Sequence, residues 1–425
     1  MKKGLLLGSG FSFDLGMPLT PELTEVFLGM FNEENVRDLT AALSAQQPFS
    51  KNRPINADAI ADGCGLLLDY KRQKGANYEA FLASLQALLG ISNPTQSDRD
   101  SYEFLFSCFY EAIHNILCFY QEASYEIIYG KNRRWFSKLE NLLSDGETWV
   151  FSLNHDLYFE YLALDLNIPI TYGDDHQVTF PISNIDVSRR ITLSLARRED
   201  MTADHSGFFK NVKGVNLVKL HGGLSELEYK DNTLLCNLRL NKGSSRELAD
   251  EFKLSNAMTY CGGKKFGGRD RIITNADGEP DVISKSMLTG GRKYSQTSKI
   301  KKGEEKLQLF DDVLRHLDEL TILGYGFGDE HINFRVSNAL LLNPDLRVII
   351  VDPFRSTTPA CIGQFDYDLR IKRAACGAAQ WMDYSKSGSW NEDQMNGLKE
   401  NERYRSQIRE RVESRAAHLF RFRTR

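Results

Sequence analysis

Paired cysteines are missing. The seven cysteines (Cys64, Cys108, Cys118, Cys236, Cys261, Cys361 and Cys376) are scattered, and none forms a C-x-x-C pair. That excludes a zinc ribbon built on such pairs, argues against a disulfide framework and suits a reducing compartment. Long apolar runs are missing as well. No stretch approaches the ~18 apolar residues of a membrane span. Met1-Lys2-Lys3 imitates a secretion signal only briefly, because the apolar run stops at Gly8 and Asp14 follows soon after. A cytoplasmic protein is expected. No charge of one sign dominates: 53 Lys and Arg face 57 Asp and Glu, a formal net charge of −4. This gives no global attraction to nucleic acid or anionic membrane. Internal repeats and low-complexity tracts are absent too. What is present is ordinary globular composition, 41% hydrophobic and 26% charged over 425 residues. That length suits two to three domain equivalents, or one core carrying large insertions.

The first twenty residues organise the rest. Gly4 to Gly8 (GLLLG) reads as a buried strand, followed by Gly8-Ser9-Gly10-Phe11-Ser12 and then Gly16-Met17-Pro18. A strand, a glycine turn and a helix start together present backbone N–H groups to a phosphate. The spacing is not the dinucleotide fingerprint G-x-G-x-x-G, because Phe13 takes the third glycine position. A tight turn after an edge strand remains the alternative. Thr20 as N-cap and Pro21 at the first helical position open a helix whose Leu23, Val26, Phe27 and Met30 share one face.

Residues 36–145 read as a mostly helical insertion, a candidate lid over a nucleotide pocket, and the aromatic stripe from Phe104 to Tyr129 reads as core. TWVFSL (148–153) predicts a second buried strand that ends in Asn154-His155-Asp156, where open α/β sheets place their chemistry. Helix capping is the other role open to Asn154 and Asp156. NIPITY (167–172), RITLSL (190–195) and VNLVKL (215–220) predict further strands. The last ends at His221-Gly222-Gly223, a histidine that either faces a ligand or satisfies a turn. Residues 224–306 are glycine-rich and basic and predict mobile loops or short hairpins. Their Lys and Arg residues are a solvated face or a contact for phosphate or nucleic acid. LQLFDDVLRHLDEL then predicts a helix, and Leu320 to Leu323 a strand. A second glycine loop follows, Gly324-Tyr325-Gly326-Phe327-Gly328-Asp329-Glu330-His331, with His331 read as structural. The strand Arg347 to Val351 ends at Asp352, placed to accept hydrogen bonds from a ribose. From Lys399 onward nine basic residues face four acidic ones, which marks a partner-binding or solvated helical tail.

Taken in order, GSGFSFDLGMP (8–18), SLNHD (152–156) and KLHGG (219–223) resemble the sirtuin family. LGYGFGDEHIN (323–333) resembles the sirtuin-like NADase branch of bacterial anti-phage defence. The resemblance implies an α/β fold: a Rossmann-like parallel sheet with helices on both faces, a large helical insertion and a second loop-rich insertion. On this reading residues 1–380 are an NAD-binding domain with core strands from 1–20, 146–223 and 307–380. Residues 381–425 are a basic helical C-terminal extension. By position, Gly8, Ser9, Gly10, Phe11 and Ser12 cradle the pyrophosphate, with Pro18 beside them. Asn154 holds the nicotinamide ribose and the attacking water, Asp156 the carboxamide, and His221 is the general base. Gly324, Tyr325 and Gly326 border the adenosine half, and Asp352 meets its ribose. Ser9 and His155 depart from the family pattern, and the paired cysteines of its zinc module are missing, so no metal is expected.

These implications converge on an NAD+ hydrolase that releases nicotinamide and ADP-ribose as an antiviral effector. It would be homo-oligomeric and associated with a HerA-type hexameric ATPase. The alternatives are an NAD-dependent protein deacylase or ADP-ribosyltransferase, a non-catalytic NAD or ADP-ribose sensor, and nucleic-acid binding through the 262–302 loops.

Overall fold

In a computed structural model the opening apolar run becomes a strand with Leu5, Leu6 and Leu7 wholly buried. The structure describes residues 1–45, 55–90, 95–240, 243–260, 268–289, 304–355 and 357–419. Among them the strands are β1 (Lys3–Leu7), β2 (Glu147–Ser152), β3 (Ile170–Thr171), β4 (His176–Pro181), β5 (Arg190–Arg197), β6 (Gly214–Lys219), β7 (Leu227–Tyr229), β8 (Leu234–Leu238), β9 (Asp270–Thr274), β10 (Pro280–Lys285), β11 (Glu319–Leu323), β12 (Arg347–Val351) and β13 (Ile371–Ala374).

Seven of them form one sheet in the order β13-β12-β11-β1-β2-β6-β3, and every neighbouring pair is parallel. Runs such as GLLL and VIIV, apolar on both faces, need a sheet covered on both sides, and helices supply that cover. Register decides where the chemistry falls. Leu7 pairs with Ser152 and with Leu323, Ser152 with Lys219, and Leu323 with Val351. With Val351 opposite Ala374 as well, six strands end in one row, and the chain leaving each of them emerges at the same edge. β1 is also where the sheet switches direction, running to β2 on one side and β11 on the other. Open parallel sheets form their crevice at such a point.

Between β1 and β2 lie the helices Thr20–Gly29, Glu33–Ser44, Ala57–Arg72, Tyr78–Ala87 and Gln96–Ser124, the helical insertion that the sequence predicts. Leu19 rather than Thr20 takes the first N-cap, with Pro21 inside the first turn. Phe27, Phe31, Phe81 and Phe109 interlock at 5.4–6.0 Å, so the aromatic stripe is packing. His114 is buried in the same helix, with its Nδ1 3.7 Å from Cys118 Sγ.

RITLSL does form a strand, but it lies in a second, antiparallel sheet of order β4-β5-β8-β7-β10-β9 and not in the parallel core. In the described part of 224–306 the short-hairpin alternative is the one observed: two hairpins, β7–β8 and β9–β10, stand on either side of the helix Ser245–Ala257 in the chain. Gly262 to Gly267 and residues 290–303, where phosphate or nucleic-acid contacts were expected, lie outside the described residues. Arg269 is turned inward, with its Nη2 3.2 Å from Glu228.

The tail folds back as the helix Asn401–Ala416, burying Ile408, Val412 and Ala416. Its arginines meet acidic partners within the chain: Arg405 pairs with Glu22, Arg409 with Glu25 and Arg415 with Glu122. No helix among the described residues is long and apolar enough to cross a membrane.

Candidate active site

Four of these strand ends, those of β1, β2, β6 and β11, open onto a cavity of about 600 Å³, within the size range of small-molecule sites. Gly8 and Ser9 line it from the β1 turn, Asn154, His155 and Asp156 from the β2 turn, and His221 from the β6 turn. Tyr325, Gly326, Asp329, Glu330 and His331 follow β11 on another side. Asn77, Tyr78, Glu79 and Ala83, at the start of the helix Tyr78–Ala87, close the remaining side with Leu117. The helical insertion therefore forms part of the wall.

A buried hydrogen-bond relay holds the first glycine turn. Asn154 Nδ2 donates to Gly8 O at 2.9 Å and to Ser12 Oγ at 3.2 Å. Ser12 Oγ donates in turn to Asp156 Oδ1 at 3.0 Å. Asp156 Oδ1 also accepts the N–H of Tyr158, the first residue of the helix Tyr158–Asp165, at 3.0 Å. Leu157 takes the N-cap of that helix, so Asp156 steadies the helix start from one residue outside it while also facing the cavity. Burial pushes the Asp156 carboxyl above the usual carboxylate range, and the Lys219 ammonium opposes it.

Below this turn lies a set of buried ions. Lys219 Nζ is 2.9 Å from Glu160 Oε1 and donates to the carbonyl of Asp156, while Tyr172 Oη donates to Glu160 at 3.0 Å. Burial raises Glu160 as well, again against Lys219. Lys306 Nζ donates to Lys219 O at 2.9 Å and pairs with Glu226 at 2.6 Å. Lys219, Glu160, Glu226 and Lys306 are all buried, and such pairs persist only with close geometry and satisfied hydrogen bonds.

The two glycine loops meet backbone to backbone. Gly8 N donates to Leu323 O at 3.0 Å and Gly10 N to Gly324 O at 2.9 Å. A Cβ on Gly10 would sit 2.7 Å from Gly324 Cα, and one on Gly324 would sit 2.5 Å from Gly10 Cα. Gly324 also has φ +63°. These glycines are required by the approach of one loop to the other.

His221 is 5% exposed. Its Nε2 lies 2.9 Å from Asp329 Oδ2, at ion-pair distance without the alignment of a hydrogen bond. The His155 ring stands 6.4 Å from it, with Nδ1 3.2 Å from Gly222 O. Of the expected residues, Gly8, Ser9, Pro18, Asn154, Asp156, His221, Tyr325 and Gly326 are on the cavity wall.

Gly10, Phe11, Ser12, Gly324 and Asp352 are not on it, and each has a reason. Gly10 and Gly324 face each other. Phe11 packs against Phe136 and Phe159. Ser12 is fully buried beneath the turn. Asp352 Oδ1 accepts from Phe354 N at 2.9 Å and its Oδ2 is 3.5 Å from Arg355 Nε, so this carboxylate closes its own turn. The amides of Gly8 and Gly10 proposed for a pyrophosphate donate within the protein instead. Sequence reasoning passed over Asp329, Lys219 and Glu160. A charged residue flanked by apolar ones in the mainly apolar LYFEYLALDL and VNLVKL was the available signal for the last two.

Among the described residues no group of three or more His, Cys, Asp or Glu side chains is arranged to hold a metal ion. The described cysteines are free thiols, and Cys261 lies outside the described residues.

No family model and no curated protein matches the sequence. Solved structures do align. The structure of Sir2Tm bound to a propionylated peptide aligns at 10% identity over 91% of this chain and 93% of that one, with a TM-score of 0.30. A structure solved for the basis of sirtuin substrate affinity aligns at 10% identity over 91% and 94%, with a TM-score of 0.32. At such superposition neither fold nor function carries over, and the reading rests on the site.

Proposed function

We propose that the chain is an NAD+ glycohydrolase, releasing nicotinamide and ADP-ribose with water as the acceptor. The observation that supports this most is the convergence of Asn154, Asp156 and His221 on one cavity over the Gly8–Ser9 turn. Cleaving a nicotinamide–ribose bond develops positive charge at the sugar carbon, so it needs charge-stabilising groups and an oriented water. Asp156 supplies a buried carboxyl for the leaving amide. Asn154, fixed through its Nδ2, orients the ribose and water. His221 takes the proton, a role that suits an imidazole near neutral pH. On the resemblance carried by the four motifs, the reading extends to a cytoplasmic, homo-oligomeric anti-phage effector held in check by a HerA-type ATPase.

The test is product analysis. Purified chain, alone and with such an ATPase, is incubated with NAD+ with and without an acyl-lysine peptide. Equal nicotinamide and ADP-ribose, unaffected by the peptide, is the expected result. Acyl-ADP-ribose formed only with peptide would replace this reading with a deacylase, and binding without turnover would replace it with a sensor.

A further inference from the structure

We infer that Asp329, in the second glycine loop, is a positioning residue for His221. The inference rests on the NAD+-cleaving reading of the site and deepens it.

Asp329 does two things with one carboxylate. Oδ1 accepts from the N–H groups of His331 and Ile332 at 3.0 and 3.3 Å, capping the helix Glu330–Leu342. Oδ2 is the atom 2.9 Å from His221 Nε2. Its backbone is held as firmly. Tyr325 Oη lies 3.1 Å from Asp329 N as acceptor and 3.0 Å from Asp329 O, and it also donates to Asn333 Oδ1 at 3.0 Å. Residue 329 is 10% exposed on its side chain and His221 6%. A carboxylate fixed by a helix end cannot follow the imidazole, so it sets where the ring stands. Gly324 turns with φ +63°, and five residues on Asp329 stands against His221, just beyond the end of β6.

The chemistry follows from which nitrogen faces the carboxylate. With the proton placed on Nε2, the nitrogen that stands at ion-pair distance from Oδ2, the lone pair is on Nδ1. The ribose hydroxyl or water then loses its proton to Nδ1: the O–H bond breaks, an N–H bond forms, and the ring becomes an imidazolium. Asp329 stays ionised and stabilises that cation, as an acid partner does for a histidine base elsewhere. The second glycine loop thus serves the catalytic base in addition to forming the wall.

The experiment uses D329N in the full-length chain, since Asn keeps a capping oxygen at Oδ1 and loses only the charge. D329E and H221A/D329N accompany it, with melting temperature as the folding control. For NAD+ cleavage, D329N lowers kcat on the order of 10²–10⁴-fold with KM little changed. D329E restores part of the loss. In the H221A background D329N costs nothing further, because the two act as one unit.

A structural role would instead lower both backgrounds alike. The ¹⁵N shifts of the His221 ring, read in labelled protein without substrate, show the Nε2–H tautomer in the wild type and a mixture in D329N. Full activity in D329N, additive losses, or a wild-type ring without that tautomer would each overturn the assignment. The ring shifts decide it even where no NAD+ is cleaved, and an inactive wild type counts against the glycohydrolase reading alone.

Discussion

The Asn154 side chain donates to the Gly8 carbonyl at 2.9 Å, joining residues 146 positions apart. The tip of β2 thereby closes the turn at the tip of β1. Replacing Asn154 with Ala removes this donor and the one to Ser12; Gly8 O keeps the N–H of Phe11, so the cost is that of two buried hydrogen bonds, ~1–3 kcal/mol. Denaturant unfolding measures that loss. Nicotinamide release, assayed below the unfolding transition, should fall much further than the stability loss accounts for.

Gly324→Ala and Gly388→Ala separate crowding from backbone strain. Both glycines have positive φ, +63° and +68°. The Gly324 Cβ would strike the Gly10 backbone, whereas nothing lies within 4 Å of the Gly388 position. Gly388→Ala should cost only the left-handed penalty of ~1–2 kcal/mol and leave turnover intact. Gly324→Ala should cost more and abolish turnover, because the two loops must separate. Equal effects in melting and kinetic assays would mean that the loops do not depend on their close approach.

Lys219→Met strands Glu160 without its cation, and breaking a buried pair in this way costs ~3–5 kcal/mol. The loss should shrink as pH is lowered, because burial already holds Glu160 above the usual range and its protonated form needs no cation. Adding Glu160→Gln to Lys219→Met should return most of the stability. Chemical denaturation of the wild type and the two variants at two pH values checks this.

Asp14 gives a second pH signature. Burial pushes its carboxyl up to about 6 from an ordinary 3.8, with Arg405 opposing. Between these values the folded chain holds a proton that the unfolded chain has released. Its contribution is therefore present at low pH and lost as pH rises toward 6. Asp14→Asn should remove that slope and add ~1–3 kcal/mol at pH 7. Unfolding free energies measured across pH 4–7 would fall more steeply in the wild type than in Asp14→Asn, where the other buried carboxyls Asp156 and Glu160 still titrate.

Much of this was legible because the parallel core is written in short apolar runs that stop at glycine or at polar residues. GLLLG, TWVFSL, VNLVKL and RVIIV all became strands, and NHD and HGG sit at their tips as expected. The antiparallel sheet was harder to see. His176–Pro181 and Pro280–Lys285 are half-exposed and mixed in polarity, so neither a buried run nor strict alternation marks them. Asp352 followed the rule for strand-tip acids, yet its own turn claims it. Asp329 had no local signal, since its partner His221 stands on another strand end and only register brings the two together. Glycines 8, 10 and 324 were recognisable as special, but the reason, one loop pressed on another, is a tertiary fact.

The most direct measurement is nicotinamide release from NAD+ by the wild type beside His221→Ala and Asn154→Ala, with all three shown to be folded. The account predicts steady turnover in the wild type and a fall on the order of 10²–10⁴ when the base is removed, with a large loss for Asn154→Ala as well. Turnover unchanged in either variant would contradict it.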